Sequence, residues 1–295
     1  MVKDTFFANK HFINCGGSYL DLSLPKVMGI LNITPDSFYD GGKYNSLKSV
    51  LAQVEKMKGE GADIIDIGAY SSRPGAIHIS EKEELNRITK VLEEIRKRYP
   101  DQILSVDTFR SGIAKIVVRD YKVEIINDVS GGDLDEKMHE LIAELQVPYI
   151  IMHMKGNPRT MQQQTTYNDV VKEIISHLGE KISQLRQRGV HDIIVDPGFG
   201  FGKTLDQNYQ LLAHLHEFQI LDEPVLVGIS RKSMIYNRLG ISPAEALNGT
   251  TAMHMQALKS GAKILRVHDV KEAQETVSLY NKLRGEEIKY TDQYR

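Results

Sequence analysis

Cysteine is almost missing from this chain: Cys15 is the only one in 295 residues. That excludes an internal disulfide framework and fits a reducing compartment. Charge of a dominant sign is missing too, with 37 Lys and Arg against 39 Asp and Glu and a net charge of -2. No global basic field therefore exists to attract nucleic acid or an anionic membrane surface. No apolar stretch approaches the ~20 residues that a membrane helix needs. The first residues carry Lys3 and Asp4 in place of an apolar leader, so no signal peptide is expected. A soluble, cytoplasmic protein remains. No Cys/His set stands at zinc-ligand spacing. No Ser–His–Asp order or nucleophile elbow occurs either, and covalent nucleophilic catalysis has no good candidate.

What the chain has is eight short apolar runs, each ending on or near a polar group able to do chemistry. They lead into Asn32, Asp66, Asp107, Asn127, His153, Asp196, Ser230-Arg231-Lys232 and His268. Continuous β-branched runs are the pattern of strands buried on both faces, hence of a parallel sheet. Amphipathic helical stretches separate them, expected over residues 45 or 46 to about 60, 80 to about 98, and 169 to about 188. Gly61, Gly189 and Gly261 stand where a helix stops and a buried strand begins, the position that favours a left-handed C′ residue. Ser80 with Glu83, and Ser242 with Pro243 and Glu245, read as capping boxes. Eight strand–helix units without a composition break imply an α/β fold of the (β/α)8 barrel type, with an open doubly wound sheet as the alternative. All eight polar groups would then meet at one end of the sheet, where such folds keep their active sites.

Residues 1–25 stand outside the repeat and read as a β-hairpin turned at Gly16-Gly17, capping the barrel bottom. Residues 26–284 form the barrel, and 285–295 a polar tail expected to fray.

The strongest local signal is DPGFGFGKT, Asp196 to Thr204. Its glycines suggest a loop whose backbone approaches a ligand closely. It is not a Walker A loop, because Pro197 occupies the position of the first required glycine, nor does it fit G-x-G-x-x-G. Residues 32–42 and 69–76 read as long functional βα loops. Asp66, Asp107, Asn127 and Asp196 together suit the edge of a flat, amino- and amide-bearing heterocycle. Lys232, Arg73, Arg266 and His268, joined by Lys203, could meet a polyphosphate, with magnesium shared between protein and phosphates.

GILNITPDSF, SSRPGA, SVDTF, INDVSGG, MHMKGNPRTMQ, DPGFGFGK, SRKSM and RVHDV, in this order, closely resemble the dihydropteroate synthase family from about Val27 to the last helix. The resemblance implies a (β/α)8 barrel, usually a homodimer. It implies condensation of p-aminobenzoate with 6-hydroxymethyl-7,8-dihydropterin diphosphate, giving dihydropteroate and pyrophosphate in folate biosynthesis. It further implies that Asp107, Asn127 and Asp196 hold the pterin with Met152 packed against it. Lys232 would bind the pterin and border the second pocket, and Asp107 and Lys232 would carry the catalysis. Ser72, Arg266 and His268 would contact the diphosphate, and Asn32 would help hold Mg2+. Phe38, Arg73, Pro74 and Phe201 would enclose the aminobenzoate, the surface that sulfonamides occupy by mimicry. One departure stands out: where the family often has Gly-Glu-Ser-Thr before Arg-Pro, this chain has Ala69-Tyr70-Ser71-Ser72.

Two other readings share the barrel. A pterin-dependent methyltransferase would use methyltetrahydrofolate and a corrinoid partner and would need no diphosphate clamp. A non-catalytic pterin-binding paralogue would have lost strand-end polar groups, and all of them are present here.

Overall fold

The structure, a computed structural model, describes residues 12–33, 43–70, 79–158 and 160–285, with the backbone alone for 43–46. Eight parallel strands close a barrel in the order β10-β3-β4-β5-β6-β7-β8-β9. They are β3 (Lys26–Asn32), β4 (Ile64–Gly68), β5 (Ile103–Asp107), β6 (Ile125–Asp128), β7 (Tyr149–Met152), β8 (Ile193–Asp196), β9 (Val225–Val227) and β10 (Ala262–Val267). Helices follow the strands, so the expected (β/α)8 barrel is what the chain forms. β3, β5, β6, β7, β8 and β10 each stop within a residue of the polar group read from the sequence. Asp66 instead sits in the middle of β4.

The helix signals act locally as their chemistry requires. Ser80 accepts a hydrogen bond from Glu83 N at the start of helix Glu81–Arg98, and Asp169 accepts one from Lys172 N at the start of helix Val170–Gln187. At Ser80 only that half of the expected capping box forms. The Ser242–Glu245 box is complete, but it opens a 3-10 turn, Pro243–Glu245, ahead of helix Leu247–Lys259. The first helix runs Lys43–Gly59, two residues earlier than expected. Gly61, Gly189 and Gly261 all have positive φ, and each lets a helix turn back into a buried strand.

Side-chain parity along the strands sorts the molecule into layers. Val27, Leu31, Ile65, Ile67, Leu104, Val106, Ile151 and Val195 belong to the large core between barrel and helices. The opposite parity points inward. Its lowest tier is apolar throughout: Met28, Ile64, Ile103, Ile125, Ile150, Ile194, Leu226 and Ile264 form one cluster. The next tier, two residues on, is Ile30, Asp66, Ser105, Asn127, Met152, Asp196, Gly228 and Arg266. Inside the barrel, composition thus switches from hydrocarbon to polar within a single pleat.

β1 (Phe12–Cys15) and β2 (Ser18–Asp21) form an antiparallel hairpin around Gly16-Gly17. Its Ile13, Cys15 and Leu20, with Leu22 beyond it, pack in the same cluster as the lowest tier. The hairpin therefore closes the apolar end of the barrel, and the polar end is left for ligands. Ile13 is fully buried there, so Ile13→Ala is expected to cost roughly 2–5 kcal/mol of stability. Denaturant unfolding would measure that loss, and turnover of the folded fraction should stay unchanged.

Candidate active site

Arg266, on the middle tier, organises the mouth. Its Nε donates to Asp66 Oδ2 at 2.7 Å and its Nη2 to Asp107 Oδ2 at 2.9 Å. Asp66 Oδ2 also accepts from Asn127 Nδ2 at 3.1 Å. Asp66 is fully buried, and its Oδ1 has no hydrogen-bond partner. One guanidinium thus ties the β4 and β5 carboxylates together, with the Asn127 amide on the same Asp66 oxygen.

Burial pushes the Asp107 carboxyl up to about 7, with Arg266 pulling against it and Asp66 adding to it. Asp196 is raised as well, again by burial, against the opposing pull of Lys232 and of the Gly198 N–H. Lys232 reaches in from the N-cap of helix Ser233–Leu239, donating to the carbonyl of Phe199 at 2.6 Å with its ammonium 4.8 Å from the centre of the Phe201 ring. Burial lowers it to about 8, against the attraction of Asp196. Acids raised and a lysine lowered at one barrel mouth are the signature of a site built for chemistry.

Above this tier the mouth has an apolar wall and a polar rim. Val129, Met152, Met154 and Met161 cluster there, with Phe109 and Phe201 against them. On the other side His268 lies within 3.2 Å of Ser230 Oγ through Nδ1. Asn32 ends β3 and is exposed, and its Oδ1 and the Asp107 side chain both lie near Gly68. Asn32, Asp107, Asn127, Met152, Asp196, Phe201, Lys232, Arg266 and His268 therefore stand together at the carboxyl end of the barrel. Phe38, Ser72, Arg73 and Pro74 lie outside the described residues.

Three expectations need correction. His153, read as one of the convergent polar groups, has outward parity. It is buried against the helix layer, edge-on to His177 with ring centres 5.0 Å apart, and Met152 takes the inward position. Lys203, read as a phosphate ligand, turns into its own loop. Its Nζ donates to the carbonyls of Gly198 at 2.8 Å and Phe201 at 2.9 Å, and lies 3.3 Å from His153 Nδ1. Burial drives His153 down to about 2, with Lys203 adding to the effect, so the neutral ring can accept from the lysine. Arg231, read with Ser230 and Lys232 as one of the convergent polar groups, is held by both oxygens of Asp269 at 2.7 and 2.9 Å and by the carbonyls of Pro243 and Ala244.

Two groups matter more than the sequence suggested. Asp66 was visible as a strand carboxylate, but its place at the centre of the Arg266 network was not. Thr108 and Phe109 lie in the SVDTF motif, and the resemblance gives them no role, yet the turn they begin carries part of the apolar wall.

A buried polar ring at the carboxyl end of a closed parallel barrel defines an enzyme of the (β/α)8 class, and comparison gives its kind. The family described as "Pterin binding enzyme" matches residues 28–268. The dihydropteroate synthase of Escherichia coli (strain K12) is 45% identical over 263 residues, 88% of this chain and 92% of that protein. That of Haemophilus influenzae is 44% identical over 253 residues, 85% of this chain and 91% of its own length. The Yersinia pestis dihydropteroate synthase solved with a sulfonamide drug complex superposes with a TM-score of 0.86 at 40% identity, covering 93% of this chain and 99% of that one. The Xanthomonas albilineans dihydropteroate synthase solved with 4-aminobenzoic acid does so with a TM-score of 0.86 at 37% identity, covering 93% and 98%. The chain belongs to the dihydropteroate synthase family of pterin-binding enzymes.

Proposed function

We propose that this chain condenses p-aminobenzoate with 6-hydroxymethyl-7,8-dihydropterin diphosphate by dissociative substitution. The observation that supports it best is the Asp66–Arg266–Asp107 network with Asn127 and Asp196 around it. Carboxylates and a carboxamide on three sides of a small space match the alternating donors and acceptors of a pterin edge. Met152 offers an apolar surface for the flat ring, and Lys232 sits where pterin and aminobenzoate would meet.

In the reaction, the bond between the pterin methylene carbon and the diphosphate oxygen breaks first, and the oxygen keeps the electron pair. The positive charge left on the methylene spreads into the ring, and the Asp107 carboxylate stabilises it. The arylamine nitrogen then forms the new C–N bond and loses a proton to solvent. Arg266 and His268, with Ser72 from the second loop, would hold the departing diphosphate. Phe201 would close the aminobenzoate side together with Phe38, Arg73 and Pro74, excluding water from the cation.

Mg2+ fits this arrangement as a partner of the diphosphate. Among the described residues no group of three or more His, Cys, Asp or Glu could hold a metal ion, so the ion would depend on phosphate oxygens and water for most of its ligands. Asn32, a neutral oxygen donor at the rim, would supply one. When bound, the ion neutralises leaving-group charge. We place the protein as a homodimer in the same reading. Leu279 and Leu283, four apart on the last helix, are 63% and 79% exposed, and light scattering would measure the mass.

No described helix is long and apolar enough to cross a membrane. The methyltransferase alternative loses ground, because the relatives named above are all synthases.

Pyrophosphate release by purified protein with Mg2+ tests the reading. Release that needs both substrates and yields dihydropteroate supports it, whereas tight pterin binding without release overturns it. The pH dependence follows from the site. Asp107 must be ionised and Lys232 protonated, so kcat/KM for the pterin diphosphate should fall below about 7 as Asp107 takes up a proton. It should fall again above about 8 as Lys232 loses one. The expected profile is a narrow bell, and a rate flat from pH 6 to 9 would remove both roles.

A further inference from the structure

Arg110, in the turn after β5, gathers side chains from three separate segments. Its Nη1 donates to Glu84 Oε2 at 2.5 Å and its Nη2 to the carbonyl of Ile79 at 2.8 Å. The guanidinium carbon lies 5.5 Å from the centre of the Tyr70 ring and 5.2 Å from that of Phe109, and those rings meet edge to face at 5.2 Å. Glu84 is fully buried in the first turn of its helix, and its second oxygen accepts from Thr108 Oγ1 at 2.9 Å. Tyr70 and Ile79 stand on either side of residues 71–78, one at the exit from β4 and the other just before the helix.

The cluster is continuous with the reaction space. Asp107, Thr108, Phe109 and Arg110 are consecutive, and Phe109, like Phe201, packs against the cluster of Val129, Met152, Met154 and Met161. Guanidinium stacked on aromatic faces and forked to a buried carboxylate is a geometry that lysine cannot reproduce.

We propose that Arg110 is a positioning residue for the arylamine substrate: by clamping Tyr70, Ile79 and Phe109 to Glu84 it fixes the wall against which the second substrate docks. This rests on the synthase reading above. It is assigned to p-aminobenzoate because Phe109 packs against the same methionine cluster as Phe201, the described residue of the aminobenzoate side, while Asp107, beside the same turn, keeps its own contact with Arg266.

Removing Arg110 alone would strand a buried carboxylate, so the test uses two variants that avoid this: Tyr70→Leu, and the double variant Arg110→Met/Glu84→Gln. In each, KM for p-aminobenzoate should rise about tenfold, while KM for the pterin diphosphate stays within about twofold of wild type. A merely structural role would lower the active fraction and leave both KM values unmoved. Equal KM values for both substrates in wild type and variants, or a parallel rise in both, overturns the clamp. Hydrogen exchange over residues 66–70 and 79–84 reads the clamp without turnover. Faster exchange in the double variant is expected, and unchanged exchange also overturns the proposal. A wild type that makes no dihydropteroate would sink the functional reading instead, and the exchange result would still decide whether Arg110 holds the two segments.

Discussion

Asp107→Asn is expected to abolish most turnover while leaving the fold as stable as before, or more so. Burial and the neighbouring Asp66 both raise the Asp107 carboxyl, and only Arg266 favours its charged form. The ionised group therefore opposes folding at neutral pH, and a neutral amide of the same shape removes that cost. Arg266 keeps its contact with Asp66, at 2.7 Å. In the proposed mechanism, however, the developing cation loses the carboxylate that stabilises it, and removing one such electrostatic group costs on the order of 100-fold in rate. Pyrophosphate release at pH 8 and thermal unfolding at the same pH would measure the two effects together. A melting temperature that holds or rises beside a collapsed rate is the expected pair, the usual tension between stability and activity at a charged site. A near-normal rate would take Asp107 out of the chemistry.

The second large effect is expected at Gly198. Its φ is +73°, and an added Cβ would drive into the backbone carbonyl oxygen of His153. Its N–H donates to Asp196 Oδ1 at 2.7 Å, and its carbonyl accepts from Lys203. Gly198→Ala combines a strained left-handed conformation with backbone overpacking, each worth about 1–3 kcal/mol. Relief of the clash would swing the loop and with it the Asp196 carboxylate, so pterin binding should weaken about tenfold or more. Gly189→Ala is the matching control. That glycine has φ +79° but nothing within 4 Å of the new carbon, so it should lose about 1 kcal/mol from the backbone alone and keep its pterin affinity. Denaturant unfolding and pterin titration on both variants separate strain from collision.

The two variants also mark how far the sequence could be read. Strand ends were visible because β-branched runs stop abruptly at polar residues, and the helix-terminating glycines announced the start of each new strand. Parity was harder. In YIIMH nothing within the run says whether Met152 or His153 faces inward. That depends on Ile150 being the floor residue of β7, a fact of barrel register and not of local pattern. Lys203 failed for a related reason, since the left-handed glycines of its loop curl the chain back so that the loop's own carbonyls capture the ammonium. Arg110 and Glu84 are 26 residues apart, and no local spacing links an arginine in one turn to a carboxylate in the first turn of another unit's helix. Asp107, Asn127 and Asp196 could be read because each is the polar terminus of an apolar run, whereas Asp66 took its central role from an arginine 200 positions away.

The hairpin beneath the barrel has one more consequence, for spectroscopy. It carries the chain's single thiol, and Cys15 is 3% exposed among the floor residues. Burial, reinforced by Glu124 and Asp192, pushes that thiol up to about 12, so at neutral pH almost none of it is the reactive thiolate. Maleimide and nitroxide reagents would find no native partner in the folded protein. A fluorophore or spin label attached through one engineered cysteine at the mouth would report from that place alone, with the natural cysteine left where it is.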